Sequence, residues 1–121
     1  MKLGRKISGG RYKKIRKKKK YEAKSQPRVV RLEEESKKRL RCLGGDIKTV
    51  LLSTDMANVL NTKTGKSKKT KIKNVIETPG NKFLARQNIL IKGAVIETEL
   101  GKAKITNRPS QEPTIQAVLV E

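Results

Sequence analysis

From residue 47 onward, apolar and β-branched side chains come in short runs broken by turn residues. The runs read "IKTVLL", "MANVL", "TKIKNVIE", "NILIKGAVIETEL", "AKIT" and "TIQAVLV". Between them lie the polar "NTKTGKSKK" centred on Gly65, "TPGN" at 78–81, a turn at Gly101-Lys102 and the breaker-rich "NRPSQEP". Val, Ile and Thr suit the pleated, half-buried surface of a strand better than a helix. Such runs, with turn signals every 8–12 residues or so, predict an all-β domain, a small sandwich or barrel. No stretch of ordinary helix length keeps a 3.6-residue apolar period. With one Phe, no Trp and both Tyr near the N-terminus, the core must be built from Val, Ile and Leu.

Residues 28–46, "RVVRLEEESKKRLRCLGGD", admit two readings. Glu33/Lys37, Glu34/Lys38 and Glu35/Arg39 are i,i+4 pairs in the order that supports a helix. Leu40, Cys42 and Leu43 among Arg39 and Arg41, followed by Gly44-Gly45-Asp46, instead suggest a strand entering a hairpin. The hairpin is the better fit, with "EEESKK" as a solvated loop or a short helical turn.

Residues 1–27 have a different character. The first twenty residues carry eleven Lys or Arg and no Asp or Glu, and Leu3, Ile7, Tyr12 and Ile15 are their large apolar side chains. This composition cannot offset the entropy of ordering, so the segment is expected to be disordered when free. Residues 28–121 then form the folded domain. The net charge is +20, and it is uneven. Residues 1–41 hold 18 basic and 4 acidic side chains, and residues 42–121 hold 13 and 7. Charge of this kind limits the partner to a polyanion: RNA, DNA or an anionic membrane surface. A membrane fits poorly, because the arm lacks the apolar stripe of an interfacial helix and no run is long enough to span. The basic start is followed by no signal-peptide apolar core, and a lone cysteine, Cys42, suits a reducing compartment. A cytosolic or nuclear protein is expected.

Catalytic chemistry is sparsely provided for. There is no histidine, and the one cysteine and scattered acids make no metal set. Glu97 and Glu99, two residues apart, read as a solvated strand face, and Cys42 reads as a small core or strand residue. Gly65-Lys66-Ser67 matches the end of a P-loop, but Leu60 stands where the pattern needs its first glycine. That stretch is better read as a basic turn. Lys63, Lys66, Lys68, Lys69, Lys71 and Lys73 would project from it as a second basic cluster able to touch phosphates. In the arm, Gly9-Gly10 permits positive φ and close backbone approach. Arg5, Arg11 and Arg16 supply bidentate guanidinium forks among the lysines. Tyr12 and Tyr21 bracket the basic run and are placed to stack on unpaired bases. Neutralising eight phosphates would give a log–log salt slope of about −6 to −7. A nuclear-localisation signal and a nonspecific sticky tail are the blander readings of "KKIRKKKK".

The segments "ANVLNTKTGKSKKTKIKNVIETPGN" and "NILIKGAVIETELGKAKITNRPSQ", the closing "AVLVE" and the arm "GRKISGGRYKKIRKKKKYE" resemble the small-subunit ribosomal protein eight family of archaea and eukaryotes. The compact length is similar to the archaeal branch. The resemblance implies an all-β, barrel-like domain of about six antiparallel strands with a basic N-terminal extension threaded through rRNA. It implies no catalysis, no cofactor and no small-molecule substrate; the partners would be small-subunit rRNA and neighbouring ribosomal proteins, in the cytoplasm. By position, Arg5, Lys6, Gly9, Gly10, Arg11, Lys13, Lys14, Arg16, Lys17, Lys18, Lys19, Lys20 and Tyr21 would line RNA, with the Lys63–Lys73 cluster secondary. The stretch "LRCLGGDIKTVLLST" departs from the family by being apolar where basic residues are expected, so it would face a neighbouring protein or the core. The competing functional class is a nonspecific DNA- or chromatin-associated protein. A nucleic-acid enzyme is disfavoured by the missing His and metal set.

Overall fold

The computed structural model describes residues 4–12, 15–23 and 26–120. Seven strands and one short α-helix are found among them: β1 (Ser36–Arg41), β2 (Ile47–Ser53), β3 (Met56–Leu60), β4 (Ser67–Glu77), α1 (Lys82–Arg86), β5 (Val95–Thr98), β6 (Gly101–Ile105) and β7 (Gln116–Leu119). Strands β3-β4-β5-β6-β7 close into a barrel, and β1-β2 form a separate two-stranded sheet. The barrel pairs are antiparallel except the closing one. There β3 and β7 run parallel, with Val59 opposite Ala117. The all-β, barrel-like expectation therefore holds, with five strands in the barrel and two beside it.

The inside of the barrel is filled by side chains that alternate along each strand, as the two-residue period requires. Ala57 and Val59 of β3, Ile72 and Val75 of β4, Ile96 of β5, Ala103 and Ile105 of β6 and Ala117 of β7 are all buried. Leu90, Ala94 and Ile115 from connecting segments complete the cluster. Alanines take a larger share of this core than a Val/Ile/Leu reading predicts, because a five-stranded barrel leaves little room at its axis.

The hairpin reading of 28–46 is correct. Cys42 N–H donates to the Asp46 carbonyl (2.7 Å), and Gly44 and Gly45 both have positive φ (79° and 88°). The "EEESKK" stretch is only partly as expected. Ser36, Lys37 and Lys38 belong to β1, opposite β2, and no helical turn forms. Glu35 pairs instead with Lys37, its neighbour on one face of the chain, and Lys37 holds the Glu35 carboxyl below the usual carboxylate range. Cys42 is exposed rather than buried, since it lies past the last pair of β1.

Two other runs differ from their sequence patterns. "NILIKGAVIETEL" is not one strand. Asn81 caps α1 by accepting from the Phe83 N–H (3.0 Å), and buried Thr78 donates its hydroxyl to the Asn81 carbonyl. Asn88 then ends the helix at φ +53°, with Asn88 N–H on the Ala85 carbonyl and Ile89 N–H on the Leu84 carbonyl. That is a Schellman motif, which asparagine tolerates almost as glycine does. Gly93 (φ +84°) makes a further turn before β5 begins. The turn read at Gly101-Lys102 falls on Glu99 and Leu100, and Gly101 opens β6 opposite Thr98.

The N-terminal segment joins the barrel at residues 28–32. Val30 is buried in the core; its carbonyl accepts from the Leu90 N–H (2.8 Å), and Arg31 N–H donates to the Leu52 carbonyl (3.1 Å). Leu32 N–H donates to the Asn88 carbonyl (3.0 Å), and Arg28 Nη1 reaches the Ser110 carbonyl (2.8 Å). This strap locks β2 against the barrel.

Among the described residues, the Thr70 hydroxyl oxygen is the buried side-chain polar atom without a hydrogen-bond partner. An unmatched buried hydroxyl costs about 1–3 kcal/mol. Thr70→Val keeps the shape and removes that cost, so denaturant unfolding of the variant is expected to show about 1 kcal/mol more stability with an unchanged m-value. Destabilisation would show that the hydroxyl is satisfied in solution.

Candidate nucleic-acid interface

The described part of the arm holds two local folds, each built by a few polar bonds. In the first, Gly9 N–H donates to the Lys6 carbonyl (2.9 Å) and Lys6 N–H to the Gly10 carbonyl (2.8 Å), so that Arg5 and Arg11 face each other across a tight hairpin. Gly9 takes φ +79°, the left-handed position of a three-residue hairpin loop. Gly10 does not share the positive φ. A β-carbon at either glycine would meet nothing closer than 3.9 Å, so the requirement at Gly9 is conformational rather than steric. Lys6 Nζ lies 5.7 Å from the Tyr12 ring centroid, and Arg5 Nη1 bonds the Gly9 carbonyl (3.4 Å).

The second local fold is a bend organised by Glu22, the one acid in the first 32 residues. The Arg16 fork binds both Glu22 oxygens at 2.7 and 2.8 Å, and the Lys19 N–H donates to Glu22 Oε2 (3.0 Å). Glu22 and Ala23 N–H groups return to the Lys19 carbonyl. These bonds, Arg16 first and the Lys19 amide second, hold the Glu22 carboxyl below the ordinary glutamate range. Lys19 Nζ sits 5.9 Å from the Tyr21 ring centroid. The lysine run that leads into the bend is exposed throughout, Lys17, Lys18 and Lys20 included. Both tyrosine rings remain substantially exposed, Tyr12 at 53% and Tyr21 at 79%. Lys13 and Lys14 lie outside the described residues. Glu22 was missed by a reading that counted cations; its isolation among them was the available signal.

The second cluster is divided by the fold. Lys63 and Lys66 belong to the β3–β4 turn, where Asn61 Oδ1 accepts from the Lys63 N–H (2.9 Å) and Gly65 has φ +67°. This is a hairpin between antiparallel strands, without the helix a P-loop requires. Lys68, Lys69 and Lys71 are not in the loop; they lie on β4 opposite Val59, Asn58 and Met56. Lys69, Lys71 and Lys73 alternate with buried Thr70 and Ile72, so they form an outward row. Lys71 Nζ is 3.7 Å from Asp55 Oδ2. Lys82 and Arg86, one turn apart on α1, were absent from the sequence reading because α1 is too short to show a period.

The apolar stretch at 40–54 serves two surfaces. Val50, Leu51 and Ser53 are buried, and the Leu51 N–H points to the Pro109 and Glu112 carbonyls. Leu43 and Ile47 at the hairpin tip are exposed. Glu97 is exposed opposite Lys102, a solvated strand position. Among the described residues no helix is long and apolar enough to cross a membrane.

A family model described as ribosomal protein S8e matches residues 1–120. The chain is 47% identical over 118 residues to small ribosomal subunit protein eS8 of Sulfurisphaera tokodaii, covering 97% of this chain and 92% of the relative. It is 44% identical to the protein of that name from Methanococcus aeolicus (96% and 91% covered) and 41% identical to the one from Methanosarcina barkeri (97% and 94%).

Because Glu22 is depressed by its partners, the bend is complete above the ordinary glutamate range and is lost as pH falls through the lowered value. NMR titration is expected to show the Glu22 carboxyl and the Lys19 amide shifting together, at a midpoint below that of Glu22 in an Arg16→Gln variant. Equal midpoints would mean that the pair does not form in solution.

Proposed function

The chain belongs to the ribosomal protein S8e family, and from that premise we propose that it is a structural constituent of the small ribosomal subunit, binding rRNA mainly through residues 1–27. The observation that carries this reading is the contrast between the two parts of the chain. The described arm residues are all exposed, with their cations and two aromatic rings turned to solvent, while the strap at 28–32 ties the arm's root into the core. A polycation presented this way stores repulsion that a phosphate backbone relieves.

In this reading residues 28–121 are the anchor and residues 1–27 take their final path on RNA. Arg5, Lys6, Arg11, Lys13, Lys14 and Lys17 to Lys20 contact phosphates, and Gly9 and Gly10 let the backbone lie close. Tyr12 and Tyr21 stack on unpaired bases. Arg16 acts through the Glu22 bend as well as by charge. Lys63, Lys66, Lys68, Lys69 and Lys71 make secondary contacts. The exposed Leu43 and Ile47 meet a neighbouring ribosomal protein. The protein works in translation as part of a cytoplasmic ribonucleoprotein, with no catalytic step of its own.

Reconstitution with purified small subunits tests the proposal. The full chain is expected to co-sediment with the subunit, and a variant lacking residues 1–27 to remain in the free fraction. Replacing Lys17, Lys18, Lys19 and Lys20 with Gln should flatten the log–log salt dependence of rRNA binding by about 3. Equal affinity for duplex DNA and folded rRNA above about 200 mM salt, where purely electrostatic binding fades, would favour the nonspecific DNA-binding reading instead.

A further inference from the structure

The outward lysines of β4 lead somewhere. Lys69, Lys71 and Lys73 are spaced at two-residue intervals, about 6.8 Å each along a strand. The pairing of β4 with β5 slips between Ile72 and Asn74, a bulge that turns Lys73 and Asn74 outward in succession. Beyond the bulge the outer face continues through Ile76 into an open groove between β4 and α1. The groove has a volume of about 520 Å³, within the roughly 300–1,000 Å³ of small-ligand sites. Asn74, Ile76 and Glu77 form its strand side, Lys82 and Arg86 its helix side, and Asn88 stands in its lining with them.

The chemistry of this groove is unlike that of a phosphate site. Arg86 lies 5.9 Å from the ring centroid of Phe83, which is 68% exposed, so the helix presents a planar cation backed by an aromatic ring. Guanidinium planes and rings are the platforms on which unpaired bases stack. The Asn74 Oδ1 is occupied by the Val75 N–H (2.8 Å), which leaves its amide nitrogen to donate. The Glu77 carboxylate repels a phosphate but accepts from an exocyclic amino group or a ring N–H. Donor, acceptor, apolar wall and planar cation together match the edge and face of a nucleobase, with Lys82 at hand for the attached phosphate.

We propose that this groove receives one unpaired base of rRNA, delivered by a single strand whose phosphates follow Lys69, Lys71 and Lys73. The proposal rests on the rRNA-binding reading above and adds a second, base-contacting site on the barrel itself. A base in a duplex has its pairing edge occupied and its faces stacked, so the groove selects single-stranded RNA.

The test uses the full-length protein labelled with ¹⁵N, titrated with a single-stranded oligoribonucleotide of mixed sequence and, separately, with the same strand annealed to its complement. The single strand is expected to shift the amides of residues 74–77 and 82–88 along with those of the arm, whereas the duplex shifts the arm alone. Arg86→Lys keeps the charge and removes the plane. It should weaken the single-strand affinity read at the groove amides by about fivefold or more, without changing the salt slope or the melting temperature. Joint replacement of Lys69, Lys71 and Lys73 by Gln should instead reduce that slope by about 2. Groove amides that stay still while the arm responds, or that respond equally to duplex, would overturn the groove assignment and leave rRNA binding standing. Binding unchanged in Arg86→Lys would likewise overturn it. No response of either region to either RNA would defeat both readings.

Discussion

A chain with a net charge of +20 holds together here because a narrow barrel buries a core of aliphatic side chains and, among the described residues, no lysine or arginine. The electrostatic energy of such a surface opposes compaction. The opposing term is burial of Val, Ile, Leu and Ala, at about 25 cal/mol per Å² of apolar surface removed from water. Closure matters as much as burial. The parallel pair of β3 and β7 joins the barrel's two ends, so no barrel edge remains to pair with another chain. With the interior filled by apolar side chains, the lysines that alternate with core residues on β4 are turned outward by strand parity.

That constraint shapes the surfaces proposed to meet RNA. On β4, the parity that buries Thr70 and Ile72 throws Lys69, Lys71 and Lys73 outward. The bulge after Ile72 changes the parity and brings Asn74 and Ile76 to the same face, beside α1. The strap at 28–32 uses main-chain bonds to Leu52, Leu90 and Asn88, so the arm leaves the barrel from a fixed point. Beyond it the described arm residues are all exposed, and two local bends among them are held by a few polar bonds each, one at the left-handed Gly9 and one at the Arg16–Glu22 pair. Arg16 is thereby divided between shaping the arm and adding to its charge. Lys17, Lys18 and Lys20 beside it are left exposed.

The same residues show how far pattern and structure agree. Alternation at 47–60 and 67–77 reported true strands, because the period of two survives wherever one face is buried. The run 88–100 misled because Ile89, Leu90 and Ile91 are apolar for another reason. They pack the strap and the core beneath α1, and Asn88 and Gly93 redirect the chain on either side of them. The glutamates at 33–35 left a helix open beside the favoured hairpin: their spacing to Lys37, Lys38 and Arg39 suits a helix, but pairing of 36–41 with β2 outweighs a few tenths of a kcal/mol per ion pair.

What the chain order alone determined is everything that depends on local spacing and summed charge: strand-rich composition, the hairpin at Gly44-Gly45, the polyanion partner and the basic arm. Those properties are additive along the chain and need no knowledge of neighbours in space. The parallel closure, the split of the Lys63–Lys73 cluster between turn and strand, the Glu22 bend and the groove between β4 and α1 were decided only in three dimensions. Each depends on which residues meet across a loop, a bulge or the barrel seam, and that pairing is set by packing rather than by any residue's own preference.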